Sequence, residues 1–361
     1  MYKYILKTSI FLLFFAGCIK NEADRMVFLT TAYNIDWPKQ NDLTEEELKG
    51  SLNDIVYKLK ISKIKTIIFQ VRPHAGTFYK SQFEPMSSFL SVSGAEFDAL
   101  DYLSKACKKK KIKLYAWVNP FRVTAGKSDA YLADSFIETH PDWLLKKNNS
   151  YFLNPGVPAV RQYVVNLVRE IVDNYYVDAV LFDDYFYPAE EQGYKIVDKS
   201  TYLANNNSNL NIEDWRRENI TSLIKACHFR CKEKNVKFIV SPAGIWRNST
   251  NDTAGSNSVG LSSYDDLYAD TKLWCEKGYV DMILPQLYYK QGQKGADFAE
   301  MADWWSKNKG QAELGFALAA YKVSEKNWDK EELDKQIEYI GRKLKCRNIV
   351  FYNTSAYLEF Y

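Results

Sequence analysis

Asp183 and Asp184 stand side by side just after the apolar run 179–182, and Asn119 and Arg122 follow another such run at 113–118. Gln70, Arg72 and His74 alternate along and beyond a third, which puts their side chains on one side of an extended chain. Asp36 and Trp37 follow a fourth, Trp246 and Arg247 lie beyond a fifth, and Gln286 and Tyr288 close a sixth. Neighbouring carboxyls can divide acid–base and nucleophilic work, provided the chain turns after the strand so that both face one ligand. Alternation from Leu181 makes Asp183 the inward residue, whereas Asp184 either works with it or braces the loop. Trp37, Trp117, Tyr187 and Trp246 offer flat faces of the kind that suit sugars, or that pack beneath loops. His74 suits either a donor to a ligand or a loop brace. Each residue alone fits a structural role; six such groups after six apolar runs point to a site.

Placing those groups together requires a scaffold. Eight short runs rich in Ile, Val, Leu and Phe read as strands buried on both faces: 27–32, 66–71, 113–118, 179–182, 238–241, 282–287, 314–319 and 349–352. Amphipathic stretches separate them at 44–59, 97–110, 157–175, 212–234, 264–277, 297–307 and 330–345. Thr44 followed by Glu47 has capping-box spacing, and Pro158 suits a first helical turn. The alternation predicts an α/β chain folded as a (β/α)8 TIM-type barrel over 26–361, with its site at the C-terminal ends of the strands. A doubly wound sheet would carry a Gly-rich phosphate loop after an early strand, and none is present. Residues 353–361 leave little room for an eighth helix, so the barrel is expected to lack a full one. The polar segments 205–211 and 248–263 read as loops.

The first residues belong to a different category. Lys3 and Lys7 precede the apolar run 10–15, which ends in Ala16-Gly17-Cys18. That pattern predicts a lipoprotein signal peptide over 1–17, lipid attachment at Cys18 and a short tether over 18–25, placing the chain in the cell envelope outside the cytoplasm. Attachment to membrane would rest on the lipid, because 48 basic and 45 acidic residues leave no strong net charge. The same balance argues against a nucleic-acid partner. Cys227, His228 and Cys231 lack two further ligands at metal-site spacing, so neither a metal nor a cofactor is expected.

Several longer motifs carry a resemblance. Thr31-Ala32-Tyr33-Asn34-Ile35-Asp36-Trp37-Pro38, Phe69-Gln70-Val71-Arg72-Pro73-His74, Ala116-Trp117-Val118-Asn119-Pro120-Phe121-Arg122 and Phe182-Asp183-Asp184-Tyr185-Phe186-Tyr187-Pro188 resemble the family 10-like glycosyl hydrolases of bacterial envelopes. So do Ser241-Pro242-Ala243-Gly244-Ile245-Trp246-Arg247 and Leu284-Pro285-Gln286-Leu287-Tyr288. The resemblance implies a barrel hydrolase whose partner is a polysaccharide. One branch of that family, lipoproteins of the division site, cleaves peptidoglycan glycan strands stripped of their peptides. A glycan-binding barrel without activity and a surface hydrolase of another polysaccharide are the alternatives.

Glycoside cleavage commonly uses two carboxyl groups. Asp183 and Asp184 are the leading pair, with Asp183 expected within reach of Arg72, His74 or Tyr288. Family 18-like barrels, which resemble this strand, carry a catalytic Glu where Tyr185 stands here. Asp36, Glu190, Glu191, Asp265 and Asp266 are further candidates for a second carboxyl. Substrate-assisted cleavage is the other option, with Tyr288 or Gln286 orienting an N-acetyl group.

Overall fold

A computed structural model describes residues 23–92, 95–124 and 131–361. The signal segment 1–17 and Cys18 lie outside the described residues, as does most of the expected tether. Eight parallel strands form the barrel: β1 (Asp24–Leu29), β2 (Thr66–Arg72), β3 (Lys113–Val118), β4 (Ala179–Phe182), β5 (Lys237–Val240), β6 (Met282–Ile283), β7 (Glu313–Leu318) and β8 (Asn348–Phe351). Each pairs with its neighbours in chain order, and β8 pairs with β1 from Asp24↔Asn348 to Val27↔Phe351, so the ring is closed.

Alternation along the strands divides the core in two. Met26, Phe28, Ile68, Tyr115, Trp117, Leu181, Ile239 and Val350 fill the barrel interior. Val27, Leu29, Ile67, Phe69, Leu114, Ala116 and Val180 point outward and are covered by helices. Burial on both faces explains why the strands read as continuous apolar runs.

The main helices are α1 (Glu45–Ile61), α2 (Ala99–Lys110), α3 (Pro158–Asn174), α4 (Ile212–Glu233), α5 (Thr271–Lys277), α6 (Phe298–Asn308), α7 (Lys330–Glu338) and α8 (Thr354–Phe360). Thr44 and Glu47 form the expected capping box on α1, and Pro158 opens α3. The stretch expected as one helix over 264–277 is broken: Tyr268 adopts φ 54° after a four-residue turn of helix, and the Asp270 carboxylate restarts the chain by accepting from the Leu273 N–H. The eighth helix is indeed short, seven residues capped by Asn353, yet β8 seals the barrel beside it. An antiparallel hairpin, Leu144–Lys147 with Ser150–Leu153, and a helix at Lys199–Asn205 add to the barrel's loops without a sequence-level expectation. No helix among the described residues is long and apolar enough to cross a membrane.

Candidate active site

Where β4 ends, the chain turns at once: the Asp183 carboxylate accepts from the Tyr185 N–H at 3.3 Å, and the Phe186 N–H donates to the Asp184 carbonyl at 3.0 Å. This turn satisfies the condition set by strand geometry, and both carboxyls reach one cavity of about 280 Å³. Phe28, Trp117, Tyr185, Gln286, Tyr288, Tyr321 and Tyr352 complete its lining, from the ends of β1, β3, β4, β6, β7 and β8. Asp183 lies deep, 2% exposed, and its Oδ2 accepts from the Trp117 indole at 3.0 Å. Asp184 is half-buried; its Oδ1 accepts from Gln286 Nε2 at 3.3 Å, and that amide also donates to the Ser241 carbonyl at 2.9 Å. Asp184 lines a second, outer cavity of about 410 Å³ as well, together with Arg122, Lys147, Ser150, Tyr185 and Tyr187. It therefore stands at the junction of the two spaces.

Burial, and then the charge of Asp184, push the Asp183 carboxyl up to about 7. Burial raises Asp184 too, opposed by hydrogen bonds and by the nearby Arg122 charge. Two neighbouring carboxyls resist ionising together, so the pair holds a proton more tightly than an isolated aspartate does. Burial likewise holds the Tyr288 phenol well above its usual range, so it remains a proton-bearing donor at the cavity wall.

Several residues expected to contact ligand instead hold the site from beneath. Asp36 is buried and accepts from the backbone N–H groups of Thr30 and Ser355, each at 2.8 Å, stitching β1 to α8. Trp37 is buried among Phe69, Phe78 and Phe97 and donates to Ser51. Gln70 accepts from the N–H groups of Thr31 and Ala32 and donates to Asn119, which is itself buried. Arg72 is fully buried in a bidentate pair with Glu84 at 2.8 and 2.6 Å, and it also donates to the carbonyls of Asn119 and Arg122. Of the three residues expected near Asp183, Tyr288 lines its cavity, whereas Arg72 and His74 line neither cavity, and the His74 ring lies beside Gly76. Trp246 stacks on Trp304 and donates to Asp270, while Arg247 pairs with Asp265 and Asp252; both lie away from the cavities. Tyr187 stands in the outer cavity's wall, but its ring is buried edge-on against Tyr268.

Of the expected contacts, Asp183, Asp184, Trp117, Arg122, Gln286, Tyr288 and Tyr187 are thus brought together. Phe28, Tyr321 and Tyr352 join them unannounced, although the rule that sites gather at C-terminal strand ends, extended to β7 and β8, reaches the two tyrosines. The other carboxyl candidates have different duties: Glu190 pairs with Lys195, and Asp266 accepts from the N–H and hydroxyl of the N-cap residue Ser262. Asp183 and Asp184 are the carboxylates lining these two cavities among the described residues. No three His, Cys, Asp or Glu side chains among the described residues converge as a metal site requires.

Comparison with known proteins bears on the family and the fold. A family described as glycosyl hydrolase-like 10 matches residues 24–335. The chain is 35% identical over 348 residues to the glycosyl hydrolase YngK of Bacillus subtilis, covering 92% of this chain and 68% of that one. It is 31% identical over 325 residues to the glycosyl hydrolase DigH of Escherichia coli K12, covering 83% and 74%. The glycoside hydrolase domain of PgaB (BpsB) from Bordetella bronchiseptica shares the fold, with a TM-score of 0.64 at 11% identity over 94% of this chain and 96% of that one.

Proposed function

Since the chain belongs to the glycosyl hydrolase-like 10 family and is a glycosidase, we propose that its substrate is envelope glycan, namely peptidoglycan strands freed of their peptides, and that Asp183 and Asp184 do the chemistry. The observation that carries this reading is the pair itself: two carboxyls with raised proton affinity, side by side in an aromatic cavity at the mouth of β4. The sequence pattern ending at Cys18 supports action by a lipid-anchored form in the envelope.

The two carboxyls sit on one strand end, so they approach a bound sugar from one side. A pair that works as acid and nucleophile instead flanks the scissile bond. The substrate's own 2-acetamido oxygen therefore serves as the nucleophile. Its N–H donates to Asp183, which favours the charged form of that carboxyl and leaves the shared proton on Asp184. Asp184 passes the proton to the leaving glycosidic oxygen as the C1–O bond breaks and the acetamido oxygen bonds to C1. The Asp184 carboxylate next takes a proton from water, whose oxygen attacks C1 and reopens the ring with retention. Tyr288 and Trp117 border the same cavity and present a phenol and an indole to the sugar.

Release of new reducing ends from peptide-free strands tests the reading. Asp183→Asn and Asp184→Asn should each lose at least about two orders of magnitude in rate while still folding. Binding of the strands by the wild-type protein with no new reducing ends would overturn it.

A further inference from the structure

The two cavities that meet at Asp184 differ in character. Besides the two carboxyls, the inner one is walled by aromatic rings and one amide, whereas the outer one has two cations in its lining, Arg122 and Lys147, beside Ser150. Arg122 is carefully held. Its backbone bridges Phe152 of the hairpin, its carbonyl accepts from Arg72 at 3.1 Å, and its guanidinium lies 4.1 Å over the Tyr185 ring. Lys147, on the same hairpin, donates to the Ala189 carbonyl at 2.8 Å and stands 3.4 Å from Glu191 at the rim. A guanidinium stacked on a ring keeps its edge donors available for a planar anion.

We infer that the outer cavity is a subsite for a carboxylate-bearing sugar, with Arg122 and Lys147 receiving its negative charge. This rests on the glycan reading above and sharpens it. In peptidoglycan that carboxylate is the lactyl group of the muramic residue, which is free only after the peptide is removed. An attached peptide turns the acid into an amide, abolishing the charge, and adds bulk at the hairpin. Selection for stripped strands then follows from two side chains. The inner cavity, by contrast, takes the neutral acetamido sugar.

The test compares peptide-free strands with the same strands whose lactyl carboxylates have been coupled to methylamine. Wild-type kcat/KM should favour the free acid by about 10–100-fold, the range of a charge-assisted contact. Arg122→Gln and Lys147→Gln, with melting temperatures near wild type, should each shrink that preference toward unity, because cleavage of the free acid falls by more than cleavage of the amidated strand. Equal cleavage of both strands by the wild type, or equal losses on both in Arg122→Gln, would overturn the subsite while leaving the glycan reading intact. If neither strand is cleaved, the glycan reading falls and the subsite with it.

Discussion

The indole nitrogen of Trp117 donates to Asp183 Oδ2 across 3.0 Å, from the penultimate residue of β3 to the end of its neighbour β4. A donor of this kind favours the ionised carboxyl, opposing the burial that raises it. Trp117→Phe keeps the ring and removes the donor, so the proton on the pair should be held more tightly. The pH profile of kcat/KM is expected to move toward higher pH by about one unit. An unmoved profile would separate the indole from the titration.

The raised carboxyls also govern stability. With both Asp183 and Asp184 above the ordinary aspartate value, the folded chain binds more protons than the unfolded one. The Asp183 contribution is therefore fully present below about pH 4 and is lost as pH rises through about 7, and that of Asp184 runs in the same direction. Asp183→Asn should flatten that decline, measured as unfolding free energy in denaturant from pH 4 to 8. At pH 8 the variant should melt at or above the wild-type temperature despite its lost activity.

Arg72 and Glu84 form an ion pair with side chains 0% and 1% exposed. Glu84→Gln leaves a buried guanidinium without its counter-charge and should destabilise the fold by about 3–5 kcal/mol. The folded fraction should turn over substrate with an unchanged KM, because Arg72 faces neither cavity. Calorimetry alongside steady-state kinetics separates the two effects; a raised KM would return Arg72 to the site.

Cys18→Ala should shift the protein from the membrane fraction to the soluble fraction without altering its melting temperature, since β1 begins at Asp24. Fractionation and a lipid-labelling assay check this directly.

The strands were legible because burial on both faces leaves an unbroken apolar signature that no loop imitates. Asp183 was legible for a related reason: alternation counted from Leu181, which does point into the barrel, leads to it. Polar residues near strand ends were harder to sort. Gln70 and Asp36 have the composition of ligand contacts, but their partners are backbone N–H groups left open by the turn after β1, and such partners carry no sequence mark. Trp37 and Trp246 fail as sugar platforms for a similar reason, since an aromatic ring suits a core as well as a surface. Lys147 was invisible because it sits on a hairpin that tertiary contacts, among them the bridge between Arg122 and Phe152, hold against the end of β3.

The seam of the barrel joins residues that are more than three hundred positions apart, Arg25 with Ile349 and Val27 with Phe351. A polypeptide emerging N-terminus first holds β1 with one edge unsatisfied until β8 arrives, and a contact of such sequence separation is among the slowest to form. Nearly the whole chain must be synthesised before the ring can lock. In the exported, lipid-anchored form that we propose, this delay keeps the chain threadable: the segment that exits first is the one whose folding partner comes last.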